Sequence, residues 1–144
     1  MNIRTVLVGL DSSERAKKVL KAAVDLAEHY DAKLVAVRGV GLPVDFPDTI
    51  LPISANELAD KLLETNQASL SALVASVPTT RLLKAEARYG TPWQVVCTIA
   101  KEANADVVVV GTHSRNALDV ILGTTASRIT NHAPCSVLVV RDNH

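Results

Sequence analysis

Three short runs in this chain carry no charge and almost nothing polar: Thr5-Val6-Leu7-Val8-Gly9-Leu10, Leu34-Val35-Ala36-Val37 and Val107-Val108-Val109-Val110. A strand with one wet face alternates apolar and polar residues. A strand that stays apolar throughout must be covered on both faces, as in parallel sheets sandwiched between helices. The segments between these runs have the complementary pattern, apolar residues at helical spacing with charges opposite. Only four residues are aromatic (Tyr30, Phe46, Tyr89 and Trp93), so the core must be built from Val, Leu, Ile and Ala.

Taken in order, the first apolar run meets Asp11-Ser12-Ser13-Glu14, a helix start with Asp11 or a following serine as cap and Glu14 in the first turn. Ala16, Val19, Leu20, Ala23, Leu26, Ala27 and Tyr30 then mark the buried side of a helix. A second strand covers Leu34 to Arg38, and Gly39 to Pro52 is a long irregular segment punctuated by Pro43, Pro47 and Pro52. Ser54-Ala55-Asn56-Glu57 fits a capping box. The helix it opens carries Leu58, Leu62, Thr65, Ser69, Ala72 and Leu73 along one side, flanked by Leu63, Leu70 and Val77, and is ended by Val77-Pro78. Arg81 to Arg88 alternates loosely, as an edge strand does. Thr91 and Pro92 then start a third helix with Val95, Val96, Ile99 and Ala100 inward. After the strand Val107 to Val110 come a helix from about Thr124 to His132 and a last strand from Cys135 to Val140.

Strands that alternate with helices in this way require crossover connections and a parallel sheet. The expected architecture is one α/β domain over residues 1–144, doubly wound and Rossmann-like. Its five-stranded parallel sheet should run in the order 3-2-1-4-5, with helices on both faces.

Basic and acidic residues balance at 15 each. Without a basic stripe or a set of stacking aromatics the chain is not built for nucleic acid. No apolar run approaches the ~20 residues of a membrane span, and the N-terminus lacks the regions of a secretory signal. A cytoplasmic protein is expected, with no membrane partner. Cys97 and Cys135 lack metal-site or CxxC spacing and read as buried, reduced thiols. The histidines show no metal-ligand spacing, so no metal site is expected.

An open doubly wound sheet binds ligands beyond the carboxyl ends of its strands, where the strand order reverses. In the order 3-2-1-4-5 that crevice lies between strands 1 and 4. Gly9, Leu10 and Asp11 would form one wall, and Gly111 to Ser114 the other. Gly123 with Thr124 and Thr125 opens the next helix, where free backbone N–H groups can meet a phosphate. The chain has no GxGxxG after strand 1 and no GxxxxGK[ST], which excludes the usual dinucleotide and P-loop sites. A receiver domain fails too, because strand 3 ends at Arg88-Tyr89-Gly90 and strand 5 at Arg141. Arg38, at the end of strand 2, could reach this pocket, but it reads most simply as half of a surface salt bridge. No serine or threonine has a sequence-adjacent base to activate it, so no catalytic residue is assigned.

Several motifs together carry a resemblance over nearly the whole length. They are Val8-Gly9-Leu10-Asp11-Ser12-Ser13-Glu14, Gly90-Thr91-Pro92, Ala105-Asp106-Val107-Val108-Val109-Val110-Gly111, Gly123-Thr124-Thr125-Ala126 and Pro134-Cys135-Ser136-Val137-Leu138-Val139-Val140. In these the chain resembles the universal stress protein (UspA) family. The resemblance implies ATP or a related adenine nucleotide, with or without Mg, in the crevice. It implies Asp11 and Gly39 near the adenine or ribose and Val110 packed on the base. Gly111, Ser114, Gly123, Thr124 and Thr125 would face the ribose and phosphates. It further implies a stress-response or signalling role rather than an enzyme, with at most slow incidental ATP hydrolysis. A homodimer through the terminal strand Cys135 to Val140 is implied as well. The ATP-binding branch of that family carries G-x2-G-x9-G-[ST], whereas this chain has G-x2-S-x8-G-T. Ser114 adds a Cβ where glycine allows close approach, and the loop is one residue short. The alternative is therefore a nucleotide-free branch member that works as a dimeric interaction module.

Overall fold

The computed structural model describes residues 1–41, 55–112 and 123–141. Among them, β1 (Thr5–Gly9), β2 (Lys33–Val40), β3 (Leu82–Tyr89), β4 (Val107–Gly111) and β5 (Ser136–Val140) form one parallel sheet in the order β3-β2-β1-β4-β5. The helices are α1 (Ala16–Tyr30), α2 (Ala55–Leu73), α3 (Pro92–Glu102) and α4 (Thr124–His132). This is the doubly wound sheet that the apolar runs require.

The pleat sorts the core into two layers. Val6, Val8, Leu34, Ala36, Val107 and Val109 point to the side covered by α1 and α2, packing on Val19, Leu20, Ala23, Leu70 and Val74. Leu7, Val35, Val37, Val108 and Val110 point to the other side, against Val95, Val96, Ile99, Ala126 and Ile129 of α3 and α4. Both faces of β1, β2 and β4 are thus dry, and burial of this aliphatic surface drives the fold.

Two helices end in the same way. Asp31 after α1 and Asn104 after α3 adopt left-handed backbones (φ 52° and 51°). Each lets the next residue's N–H reach back, Ala32 to Ala27 O (2.7 Å) and Ala105 to Ala100 O (2.9 Å). Asp and Asn tolerate this conformation better than other non-glycine residues. The Asp106 carboxylate then accepts the Arg4 and Thr5 N–H groups (2.8 and 2.9 Å), tying the start of β4 to the start of β1.

Some expectations are corrected. Helix α1 begins at Ala16 without a side-chain cap, and Glu14 precedes it. Asp11 instead accepts the Ser13 N–H and hydroxyl (2.9 and 2.6 Å), closing a local turn. Tyr30 is exposed rather than inward. In α2 the buried line runs through Leu70 and on to Val74 and Val77, while Thr65 and Ser69 lie outside it. In β3 the register slips between Leu34↔Leu82 and Val35↔Lys84, so Leu83 becomes the extra residue of a bulge and is 60% exposed. Cys97 and Cys135 are free but only half-buried. Burial pushes both thiols above their usual pKa. The proline-rich segment beyond Gly41 and the Ser54 cap lie outside the described residues.

Candidate functional site

The carboxyl ends of β1, β2 and β4 open into a cavity of about 420 Å³ at the point where the chain reverses its strand order. Its size falls in the range of small-molecule sites. One wall is the β1–α1 connection, Gly9 to Ser13, continued by Arg15, Ala16 and Val19. The end of β2 supplies Val37, Arg38 and Gly39, and the end of β4 supplies Val110, Gly111 and Thr112. Pro92 and Val96 of α3 and Thr125 and Ile129 of α4 complete the lining. Helices α1, α3 and α4 all begin at this edge of the sheet, so their positive dipole ends converge on the cavity.

Seven of the residues singled out from sequence therefore come together here: Gly9, Leu10, Asp11, Gly39, Val110, Gly111 and Thr125. Gly123 is the N-cap residue of α4, with its carbonyl accepting the Ser127 N–H (2.9 Å). Thr124 follows it, and neither lines the cavity. Ser114 and the rest of the β4–α4 loop to Leu122 lie outside the described residues.

The glycines have a structural reason that does not involve a ligand. A Cβ on Gly39 would stand 2.5 Å from the Pro92 Cα, and one on Gly111 would stand 2.7 Å from Val19 Cγ2. On Gly9 it would meet Val96 Cγ2 at 3.2 Å. These positions are small because α3 and α1 press directly on the strand ends. The absence of side chains at Gly39 and Gly111 thus lets helices close the cavity, whatever occupies it.

Arg38 is the residue whose place the sequence misjudged. It is 6% exposed, and among the described residues its guanidinium is taken up by hydrogen bonds rather than by a surface salt bridge. Its guanidinium enters the β1–α1 connection, where Nε donates to Leu10 O (2.8 Å) and Nη2 to Asp11 O (2.8 Å). Nη1 donates to Ser69 Oγ (3.1 Å) and Asn66 Oδ1 (3.4 Å) on α2. One planar fork thereby fixes the cavity wall to both β2 and α2. Burial lowers the Arg38 pKa, partly offset by the nearby Asp11 carboxylate, yet an arginine remains protonated. A signal was available: Arg38 follows an apolar parallel strand directly, so its head had to find internal partners.

Arg15, which the sequence reading left aside, is the second cation of the lining and reaches across the mouth toward Thr112 O (3.5 Å). The described lining otherwise offers one carboxylate, Asp11, and the hydroxyls of Ser12, Ser13, Thr112 and Thr125. The floor made by Val37, Val96, Val110 and Ile129 is apolar. Such a site combines an apolar surface with polar and cationic groups, which suits a heterocycle carrying a polar or anionic tail. No group of three or more metal-ligating side chains occurs among the described residues.

Fold and site together define the class: a doubly wound α/β protein with a small-ligand crevice at its topological switch point. The universal stress protein family model matches residues 2–141, and the chain belongs to that family. A putative universal stress protein of Staphylococcus aureus is 31% identical over 145 residues, covering 96% of this chain and 84% of the relative. The universal stress protein UspA from Lactobacillus plantarum superposes with a TM-score of 0.78 at 28% identity, over 98% of this chain and 99% of that one. A universal stress protein crystallised in complex with cAMP shares the fold, with a TM-score of 0.64 at 20% identity over 97% and 98% of the two chains.

Proposed function

We propose that this universal stress protein binds ATP or a related adenine nucleotide in the crevice between β1 and β4 and works as a signalling rather than a catalytic protein. The observation that carries the reading is the composition of the 420 Å³ cavity, apolar at its floor and hydroxyl- and guanidinium-bearing at its rim. The base lies on Val110, near Gly39. Asp11 accepts from the ribose hydroxyls, Gly9 and Leu10 back it, and Gly111 and Thr125 flank the ribose and phosphates. Gly123, Thr124 and Ser114 belong to the loop and helix start that receive the phosphates. The solved relative in complex with cAMP supports an adenine nucleotide as the ligand class. Where Mg accompanies the phosphates, it is brought by the nucleotide.

A binding role fits the residues. The described lining has a single carboxylate and no lysine, histidine or cysteine to act as base or phosphate clamp. Occupancy biases the segments that flank the crevice, and the dimer conveys the state to partners. The proposed dimer forms through β5, an edge strand next to β4 whose Leu138 is 41% exposed and whose Val137, Val139 and Val140 are half-buried. A second copy would cover this apolar edge.

Calorimetric titration of ATP tests the reading, with Gly123→Val at the N-cap of α4 as the control. Saturable binding by the wild type at or below millimolar ATP, weakened in the variant, is expected. No saturable binding at millimolar ATP refutes it and favours the nucleotide-free interaction module.

A further inference from the structure

β3 is the outer strand at the end of the sheet opposite β5, and an outer strand turns alternate peptide groups away from its neighbour. The Gly90 N–H donates to Val40 O (3.0 Å), so Arg88, Glu86 and Lys84 face β2 while Ala85 and Ala87 face outward. Those outward groups are already taken. The half-buried Gln67 of α2 lays its side-chain amide on the edge, donating to Ala85 O (2.9 Å) and accepting the Ala87 N–H (2.7 Å). One residue of an added parallel strand, set opposite Glu86, would make this same pair of bonds. Gln67 also donates to Ser71 Oγ (3.2 Å), one turn further along α2, which steadies the amide. Just before this point the bulge at the exposed Leu83 interrupts the strand.

We infer that Gln67 is an edge lock. Its amide stands in for a strand and bars β3 from pairing with the β3 of a second copy of this chain. The edge is otherwise suited to that partner, because Lys84, Glu86 and Arg88 alternate in sign along it. In a two-fold antiparallel pairing centred on Ala85, Lys84 of each copy lies opposite Glu86 of the other, and no like charges face each other. Leu83 then lies opposite Ala87 of the second copy. Ala85 and Ala87, the residues that Gln67 holds, are the ones whose peptide groups such a pairing needs. The lock is independent of what occupies the crevice.

The test compares wild type, Gln67→Ala, Gln67→Glu and Gln67→Ala/Leu83→Lys, with far-UV circular dichroism as the folding control. Hydrogen exchange of the Ala87 amide reads the lock directly. Gln67→Ala should speed it by about fivefold or more, the size of one lost hydrogen bond. Gln67→Glu, which can accept from the Ala87 N–H but cannot donate to Ala85 O, should speed it less, and it carries the exchange test if Gln67→Ala does not fold. Sedimentation velocity across a concentration series reads the edge. Gln67→Ala should form a species larger than any of the wild type, and Leu83→Lys, a charge placed on the opened edge, should remove it. Unchanged Ala87 exchange in both Gln67 variants overturns the lock. So does a folded Gln67→Ala that associates no further than wild type, or a new species that survives Leu83→Lys.

Discussion

The replacement Arg38→Met removes the fork that joins the crevice wall to α2 while keeping a side chain of similar length. Two backbone carbonyls, Leu10 O and Asp11 O, each lose a charged donor at 2.8 Å, and the Ser69 and Asn66 side chains lose a shared one. A hydrogen bond to a charged group contributes roughly 1.5–3 kcal/mol. Asp11 and Ser69 are exposed, so water replaces much of what they lose, whereas Leu10 is 2% exposed and its surroundings are drier. Removing a buried cation also recovers part of its desolvation cost. The balance is a destabilisation of about 3 kcal/mol, or a fall in melting temperature of roughly 10 °C for a domain of this length. Arg38→Lys, which keeps the charge but not the fork, should fall about half as far. Lys21→Gln removes the exposed 3.2 Å pair with Asp25 and should cost no more than about 0.5 kcal/mol. Calorimetric or chemical melting of the ligand-free proteins is the assay. A fall of less than about 2 °C for Arg38→Met would refute the argument, because water would then be serving the wall as well as the guanidinium does.

Two further outcomes follow from the same geometry. Gly39→Ala and Gly111→Ala should each destabilise the ligand-free protein by about 1–3 kcal/mol or more, because the new methyl meets backbone at 2.5 Å or a branched valine at 2.7 Å. Gly9→Ala, with its nearest contact at 3.2 Å, should cost less, and equal melting temperatures for all three would show that these glycines are not packing positions. Arg88 of β3 binds Glu86 (2.7 Å) and Glu102 of α3 (2.9 Å), and it is the first cause holding both carboxyls below their usual range. Groups whose pKa is depressed by folding stabilise the protein above their unfolded value and lose that contribution as pH falls through the folded one. The stability of wild type should therefore drop as pH falls below about 4.5, and Arg88→Gln should flatten that part of the melting-temperature profile. An unchanged acid limb in the variant would show that the network contributes nothing to it.

Much of the fold was legible because the signals are local and redundant. Val107 to Val110 is dry on both faces by composition alone, and α3 buries Val95, Val96, Ile99 and Ala100 as its periodicity demands. The errors lie where tertiary contacts override a local pattern. Leu83 alternates correctly on paper, but the slip against Leu34 and Val35 turns it outward. The start of α1 reads as a capping sequence, yet Asp11 uses its carboxylate on Ser13 and its carbonyl on Arg38, leaving the helix to begin at Ala16. Gly9, Leu10, Asp11 and Gly111 could be placed at the crevice from strand ends and order, and Val110 from the family resemblance. The partners of the guanidiniums could not, because the reach of Arg38 to α2 and of Arg15 to Thr112 depends on how helices seat on the sheet.

The central claim is that an adenine nucleotide occupies the crevice at the ends of β1 and β4. Amide chemical-shift mapping during an ATP titration tests it residue by residue. The account predicts saturable shifts centred on Gly9, Leu10, Asp11, Gly39, Gly111 and Thr125. Shifts centred instead on the groove between α1 and α2 around Leu20, Lys21 and Leu73, or none at millimolar ATP, would contradict it.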